Sequence, residues 1–159
     1  SMFNLGFMYA NGLGVEKNIK KAKDLILQAK NLDHGPAYNY IGEALEIGNL
    51  GFKKNKKDAL ENYIKAQLLS PDDPLSKTNL ARFYLKADTV KAIALLDSAY
   101  NDDNYLEAGL ELAKHIVNSK TISNPLEKAL SILKQAESHT GDYSIFDTPE
   151  QAYTIIRGH

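Results

Sequence analysis

The chain has 159 residues, 43% hydrophobic and 25% charged, the proportions of an ordinary folded domain or a short repeat array able to bury a core. Its formal charge of −1 hides a first half slightly basic and a second half slightly acidic, and neither has the charge excess of a nucleic-acid or membrane binder. With no cysteine, disulfides, thiolate catalysis and cysteine-ligated metals are excluded, while the compartment stays open.

No apolar run approaches the roughly 20 residues that span a bilayer. Ser1-Met2 reads as a tag remnant ahead of a start or boundary, so a signal peptide could have stood before it, and the compartment could be bacterial periplasm, envelope or cytoplasm.

From the start, Leu5, Met8 and Tyr9 recur at helical spacing and predict a helix over 3–11. The stretch after it, YANGLGVEKNIKKA, places Gly12 and Gly14 two apart, as a phosphate-binding loop would. A dinucleotide loop needs a third glycine and a preceding strand, but Lys17 stands at the third position and a helix precedes it. No G-K-[ST] occurs anywhere. The two glycines are therefore predicted to turn the chain between packed helices, at positive φ or close backbone approach.

Further helices are predicted over 18–31, 36–48, 55–69, 74–86, 89–100, 104–118 and 125–138, with an amphipathic ninth over 148–158 and no useful strand pattern. Pro36, Pro74 and Pro125 sit in first-turn contexts, and Asn124-Pro125-Leu126-Glu127 offers an N-cap, a proline at N1 and a glutamate at N3. Asp72, Asp73, Asp102 and Asp103 precede helices whose dipoles favour negative charge. Asp88 is the expected cap of the helix after the shortest connection, Lys86-Ala87-Asp88-Thr89.

An internal repeat organises these helices. KKAKDLILQAK, KDALENYIKAQ, VKAIALLDSAY and EKALSILKQAE each carry alanines seven apart: Ala22/Ala29, Ala59/Ala66, Ala92/Ala99 and Ala129/Ala136. Seven residues are two turns, so each pair lies on one face where a neighbouring helix can approach closely. The first alanine advances by 37, 33 and 37 positions, a helix-pair period. The preceding helices share a Leu/Ile-then-small pair (Leu5-Gly6, Ile41-Gly42, Leu80-Ala81, Leu112-Ala113) with a large residue four positions after the Leu or Ile: Tyr9, Leu45, Tyr84 and Ile116.

The pattern LG-x-x-Y-x-x-G-x-GV, then KA and a second alanine seven on, resembles the Sel1-like repeat family, a tetratricopeptide-related group. It is fullest in repeat one (Leu5, Gly6, Tyr9, Gly12, Gly14, Val15, Lys21, Ala22, Ala29, Gly35, Ala37). Repeat two keeps Gly42, Gly48, Gly51 and Ala59, and the last two repeats lose the loop glycines. The resemblance implies an all-α, right-handed α-α superhelix forming one domain over 1–159. Its repeats would be about 3–35, 36–73, 74–103 and 104–140, followed by the C-terminal helix 148–158. It also implies a non-catalytic scaffold that binds a polypeptide. Bacterial members include envelope assembly factors and immunity proteins, and eukaryotic members serve in membrane-associated degradation complexes.

Little else suggests chemistry. His34, His115, His139 and His159 lack metal-ligand spacing, no nucleophile elbow is present, and the paired acids fall where capping explains them. No enzyme activity, metal or cofactor is expected, and a small-molecule ligand is not favoured. Lys53, Lys54, Lys56 and Lys57 read as a solvated loop. Tyr9 and Tyr84 fall at core positions, with Tyr40 and Tyr100 as candidate exposed anchors.

With the Leu/Ile positions as inward anchors, the residues expected to line a concave, partner-binding face are Asn39, Tyr40, Glu43, Thr78, Asn79, Arg82, Glu111 and Lys114. Asn4 and Phe7 occupy the same positions in repeat one. Asparagine can hold a peptide backbone and arginine can fork onto a carboxylate. The competing expectation is a structural or oligomer-forming segment of a larger repeat protein.

Overall fold

The structure is a computed structural model that describes residues 1–101, 106–117, 123–124, 127–129, 131–132 and 134–135. The described residues contain no strand, and their helices run α1 Met2–Asn11, α2 Ile19–Asn31, α3 Gly35–Ile47, α4 Lys56–Leu69, α5 Pro74–Tyr84, α6 Thr89–Asn101 and α7 Leu106–Val117. Glu127, Lys128 and Ala129 are helical within the expected eighth helix. The expected helix over 148–158, together with Ala136, His139 and His159, lies outside the described residues. The chain divides into two compact units, Ser1–Phe83 and Tyr84–His159.

In the first unit α1 packs on α2, α3 on α4, and α2 on α3. The alanine pairs make this close approach possible: Ala22, Ala59 and Ala66 are fully buried and Ala29 nearly so. Four residues after the first alanine of each pair stands a large side chain, Ile26 or Tyr63, which is sealed from solvent and faces a glycine on the preceding helix. A Cβ on Gly6 would lie 2.7 Å from Ile26, and one on Gly42 would lie 2.7 Å from the Tyr63 ring. In the first two repeats the small residue after the Leu/Ile is thus the socket for a knob on the next helix.

The two long connections are built alike. Gly12 and Gly48 end α1 and α3 in the left-handed region, at φ 71° and 79°, and their backbone N–H groups close onto the carbonyls of Met8 (2.8 Å) and Ala44 (2.9 Å). Asn18 then donates its N–H to the Tyr9 carbonyl and Asn55 to the Leu45 carbonyl, both at 2.9 Å. The side chains of the same two asparagines cap α2 and α4 through the N–H groups of Lys21 (2.9 Å) and Asp58 (3.2 Å). The glycine-rich stretch is a helix C-cap and turn. Lys53 and Lys54 in the second of these connections, and Lys56 and Lys57 in the first turn of α4, are solvent-exposed.

Asp73 caps α5 by accepting from the Ser76 N–H at 2.9 Å and from the Ser76 hydroxyl. The helix stops at Tyr84, short of the expected 86, because the Ala87 and Asp88 N–H groups both turn back onto the Tyr84 carbonyl. Asp88 then caps α6, its carboxylate accepting from the Lys91 N–H at 3.0 Å.

In the second unit α6 packs on α7, with Ala92, Leu96, Ala99, Leu112 and Ala113 fully buried. Tyr100, a candidate exposed anchor in the sequence, is instead buried at 6% exposure. Its ring fills the space left by Gly109, where a Cβ would lie 2.5 Å away, and its hydroxyl donates to the Ile132 carbonyl at 3.2 Å. Leu5 departs in the opposite sense. Whereas Ile41, Leu80 and Leu112 are buried, Leu5 is 39% exposed, and the inner face of α1 is carried by Gly6 and Ala10.

Candidate functional site: an aromatic groove on the first unit

Two faces of the same helical register meet beside α5. From α1 come Phe3, Asn4, Phe7 and Met8, and from α3 come Pro36, Asn39, Tyr40 and Glu43. The α3 set follows the i, i+3, i+4, i+7 spacing that puts side chains on one side of a helix, and the α1 set is two i, i+4 pairs, Phe3/Phe7 and Asn4/Met8, on adjacent strips of one face. Asp73 and Leu75, at the start of α5, complete a groove of about 440 Å³.

Its floor is aromatic. Tyr40 stands edge-on to Phe7 with ring centroids 5.7 Å apart and to Phe3 at 6.0 Å, and Phe3 in turn meets the His34 ring at 5.3 Å. Phe7 remains 39% exposed, a large apolar side chain left open to solvent in the groove wall. Burial raises the Tyr40 phenol pKa above its usual value, a hydrogen bond with Asn11 opposes the rise, and the Glu43 charge adds to it. The phenol is therefore a neutral donor and acceptor across the physiological range.

Of the eight residues expected on the binding face, Asn39, Tyr40 and Glu43 line this groove. Asn39, Thr78 and Asn79 do not point away from the core as expected, being only 3%, 1% and 1% exposed. The reason is that α5 is buried on every side from Ser76 to Ala81. Thr78 spends its hydroxyl within its own helix, donating to the Pro74 carbonyl at 2.8 Å. The Asn79 side chain is saturated: its amide donates to Asn39 Oδ1 (3.1 Å) and Glu43 Oε1 (2.9 Å), and its carbonyl oxygen accepts from Arg82. Asn79 thus ties α5 to α3 and positions Glu43, and holding a peptide backbone is beyond it. Arg82 itself is exposed.

Glu111 and Lys114 belong to the second unit, on α7, and pair with each other at 2.9 Å. His115 lies 3.9 Å from the same carboxylate. Burial depresses the His115 pKa and Lys114 adds to that, while Glu111 opposes it.

Phe3, Met8, Pro36, Asp73 and Leu75 line the groove without having been expected there. Phe3 and Met8 were legible: they share the register of Asn4 and Phe7 one position to either side. Leu75 and Asp73 reach the groove through the path of the α4–α5 connection, for which helical periodicity carries no signal. Among the described residues no cluster of three or more His, Asp or Glu could hold a metal, and no helix is long and apolar enough to cross a membrane.

The fold and its sockets define a helix-pair repeat of the α-solenoid class. The Sel1 repeat family matches residues 1–34, 35–66 and 78–104, more than half the chain, and the chain belongs to that family. A Sel1 repeat protein from Oxalobacter formigenes has the same fold, with a TM-score of 0.72 at 24% identity over 87% of this chain and 57% of that one. So does a protective antigen present in uropathogenic Escherichia coli strains and displaying an SLR fold, with a TM-score of 0.73 at 18% identity over 96% of this chain and 36% of that one. The chain spans little more than half the length of the first relative and about a third of the second. Among proteins of curated function, none matches it in sequence. Sel1 repeats form a generally non-catalytic scaffold that mediates protein–protein interactions.

Proposed function

We propose that this chain is a non-catalytic interaction module that seats a segment of another polypeptide on the face of its first unit formed by α1 and α3. One observation carries the reading: an open groove of about 440 Å³ where Phe3, Phe7 and Tyr40 gather beside Asn4 and Glu43. Exposed aromatic side chains rimmed by amides and carboxylates are the composition of a binding hot spot. The hydrogen bonds from Asn79 to Asn39 and Glu43, with Arg82 donating to Asn79, brace the groove wall from behind.

The four-repeat division at about 3–35, 36–73, 74–103 and 104–140 belongs to the same reading. Support for its last repeat comes from the full burial of Ala129 and from the Lys128 N–H closing onto the Asn124 carbonyl at 3.1 Å.

Selection of displayed random peptides on the full chain tests the proposal, with each enriched peptide re-measured against Phe7→Ala and Tyr40→Ala variants. Peptides that bind the wild type and lose affinity on both variants are expected. Enriched peptides indifferent to both substitutions would move the binding face elsewhere.

A further inference from the structure

Helices α1 to α4 pack in chain order through short links, so alternate helices run the same way and the two long connections, 12–18 and 48–55, emerge on one edge of the first unit. Lys23 of α2 reaches the second of them, donating from Nζ to the Gly51 carbonyl at 2.8 Å. Residues 12–22 and 48–59 are these connections with the first turn of the helix each leads into. They carry seven lysines, Lys17, Lys20 and Lys21 beside the four at 53, 54, 56 and 57, against two acids, Glu16 and Asp58. All seven are exposed, and no ion pair among the described residues includes one of them. The connections at the opposite edge, 32–34 and 70–73, hold Asp33, Asp72 and Asp73 and no Lys or Arg. The near balance of charge over the first half conceals this segregation. Three exposed apolar side chains share the lysine edge: Leu13 between the two glycines, Ile19 at the start of α2 and Ile47 at the end of α3.

Lysines set around projecting apolar side chains bind an anionic bilayer, the cations drawn to the headgroup charge and the apolar groups to the acyl boundary. We infer that this edge docks the chain on an anionic membrane surface, with the lysines over the headgroups and Leu13 and Ile47 dipping between them. Two features favour lipid over other polyanions. Every cation is a lysine, a point charge that protein interfaces deplete, whereas an acidic polypeptide is held better by the fork of an arginine. Single-stranded nucleic acid stacks on open ring faces, but Tyr9 and Phe52 here are covered by Lys21 and Lys23, whose Nζ atoms lie 4.3 and 3.9 Å from the ring centres. Docking does not use the aromatic groove, which reaches Asp73 at the opposite edge and stays open to a polypeptide.

Flotation of the full chain with vesicles tests the inference, using phosphatidylcholine alone and phosphatidylcholine mixed with phosphatidylglycerol. Binding to the anionic vesicles only, weakened by added salt, is expected. Lys53→Gln with Lys57→Gln should lower that affinity about tenfold. Lys30→Gln with Lys65→Gln removes the same charge from the C-terminal halves of α2 and α4 and should change it little. Leu13→Ser should weaken binding with the charge unaltered. Equal binding to neutral vesicles, no flotation with the anionic ones, or the same loss from both lysine pairs would overturn the inference. So would capture of a polyglutamate peptide or an oligonucleotide in preference to the vesicles at matched charge concentration, which would assign the edge to an acidic polypeptide or to nucleic acid.

Discussion

Gly42 on α3 faces the ring of Tyr63 on α4 so closely that a methyl group at Gly42 would stand 2.7 Å from Cε1 and 2.8 Å from Cδ1. Tyr63 is wholly buried, stacks at a tilt on Phe83, and donates its hydroxyl to Glu46 Oε2 at 2.8 Å, so the ring cannot retreat without breaking that bond. Burial, reinforced by Glu46, holds the phenol far above its ordinary pKa. Gly42→Ala should therefore destabilise the chain by about 1–3 kcal/mol through overpacking, despite the better helix propensity of alanine. Urea unfolding of Gly42→Ala, Tyr63→Leu and the double variant checks this. The glycine substitution should cost less in the leucine background.

Asn79 supplies three of the hydrogen bonds that join α3, α5 and Arg82. Asn79→Ala leaves the buried Asn39 oxygen and a Glu43 oxygen without these donors, at a cost of about 1–3 kcal/mol. Arg82→Ala should cost much less, because Arg82 is exposed. Comparable losses from the two substitutions in chemical denaturation would contradict the assignment of Asn79 as the hub.

Asp88 caps α6 immediately after the short α5–α6 connection. Replacing it with alanine removes the acceptor for the Lys91 N–H and should cost about 0.5–2 kcal/mol, while Asp88→Asn should cost little. Hydrogen exchange read at the first turn of α6 gives the local answer: faster exchange in the alanine variant, near wild-type rates in the asparagine variant.

His115 is held below its ordinary pKa of 6.5, mainly by burial. Below that value the unfolded chain takes up a proton the folded chain resists, so His115 makes stability fall as pH drops from 6.5 through its folded pKa. Above 6.5 it adds no pH dependence. The measurement is the difference in urea midpoint between wild type and His115→Gln across that range. The wild type should lose stability relative to the variant as pH falls, and a constant difference would refute the coupling.

Much of the fold was legible because the alanine spacing and the Leu/Ile-small pairs are packing constraints written at fixed positions. Gly12, Gly14, Gly48 and Gly51 all take the positive φ expected of them. The knobs Ile26 and Tyr63 were not anticipated, since a large residue four after an alanine looks the same whether it packs in a socket or on a surface. The proposed binding face was only partly legible. Helical register correctly grouped Tyr40 and Glu43 with Phe7, but register alone cannot reveal that α5 is enclosed, and so Thr78 and Asn79 were assigned to a surface they do not reach. Short polar side chains on a helix look exposed in sequence, and Asn79 is buried because Asn39, Glu43 and Arg82 satisfy it completely.

The proposed function requires a polypeptide to seat against Phe7. Replacing Phe7 with a photo-cross-linking phenylalanine analogue, and in a separate protein replacing Leu68, which is 70% exposed on α4, tests it most directly. Irradiation with a peptide that the full chain binds should cross-link it through position 7, be suppressed by excess unlabelled peptide, and give no product at position 68. Cross-linking at position 68 with none at position 7 would contradict the account.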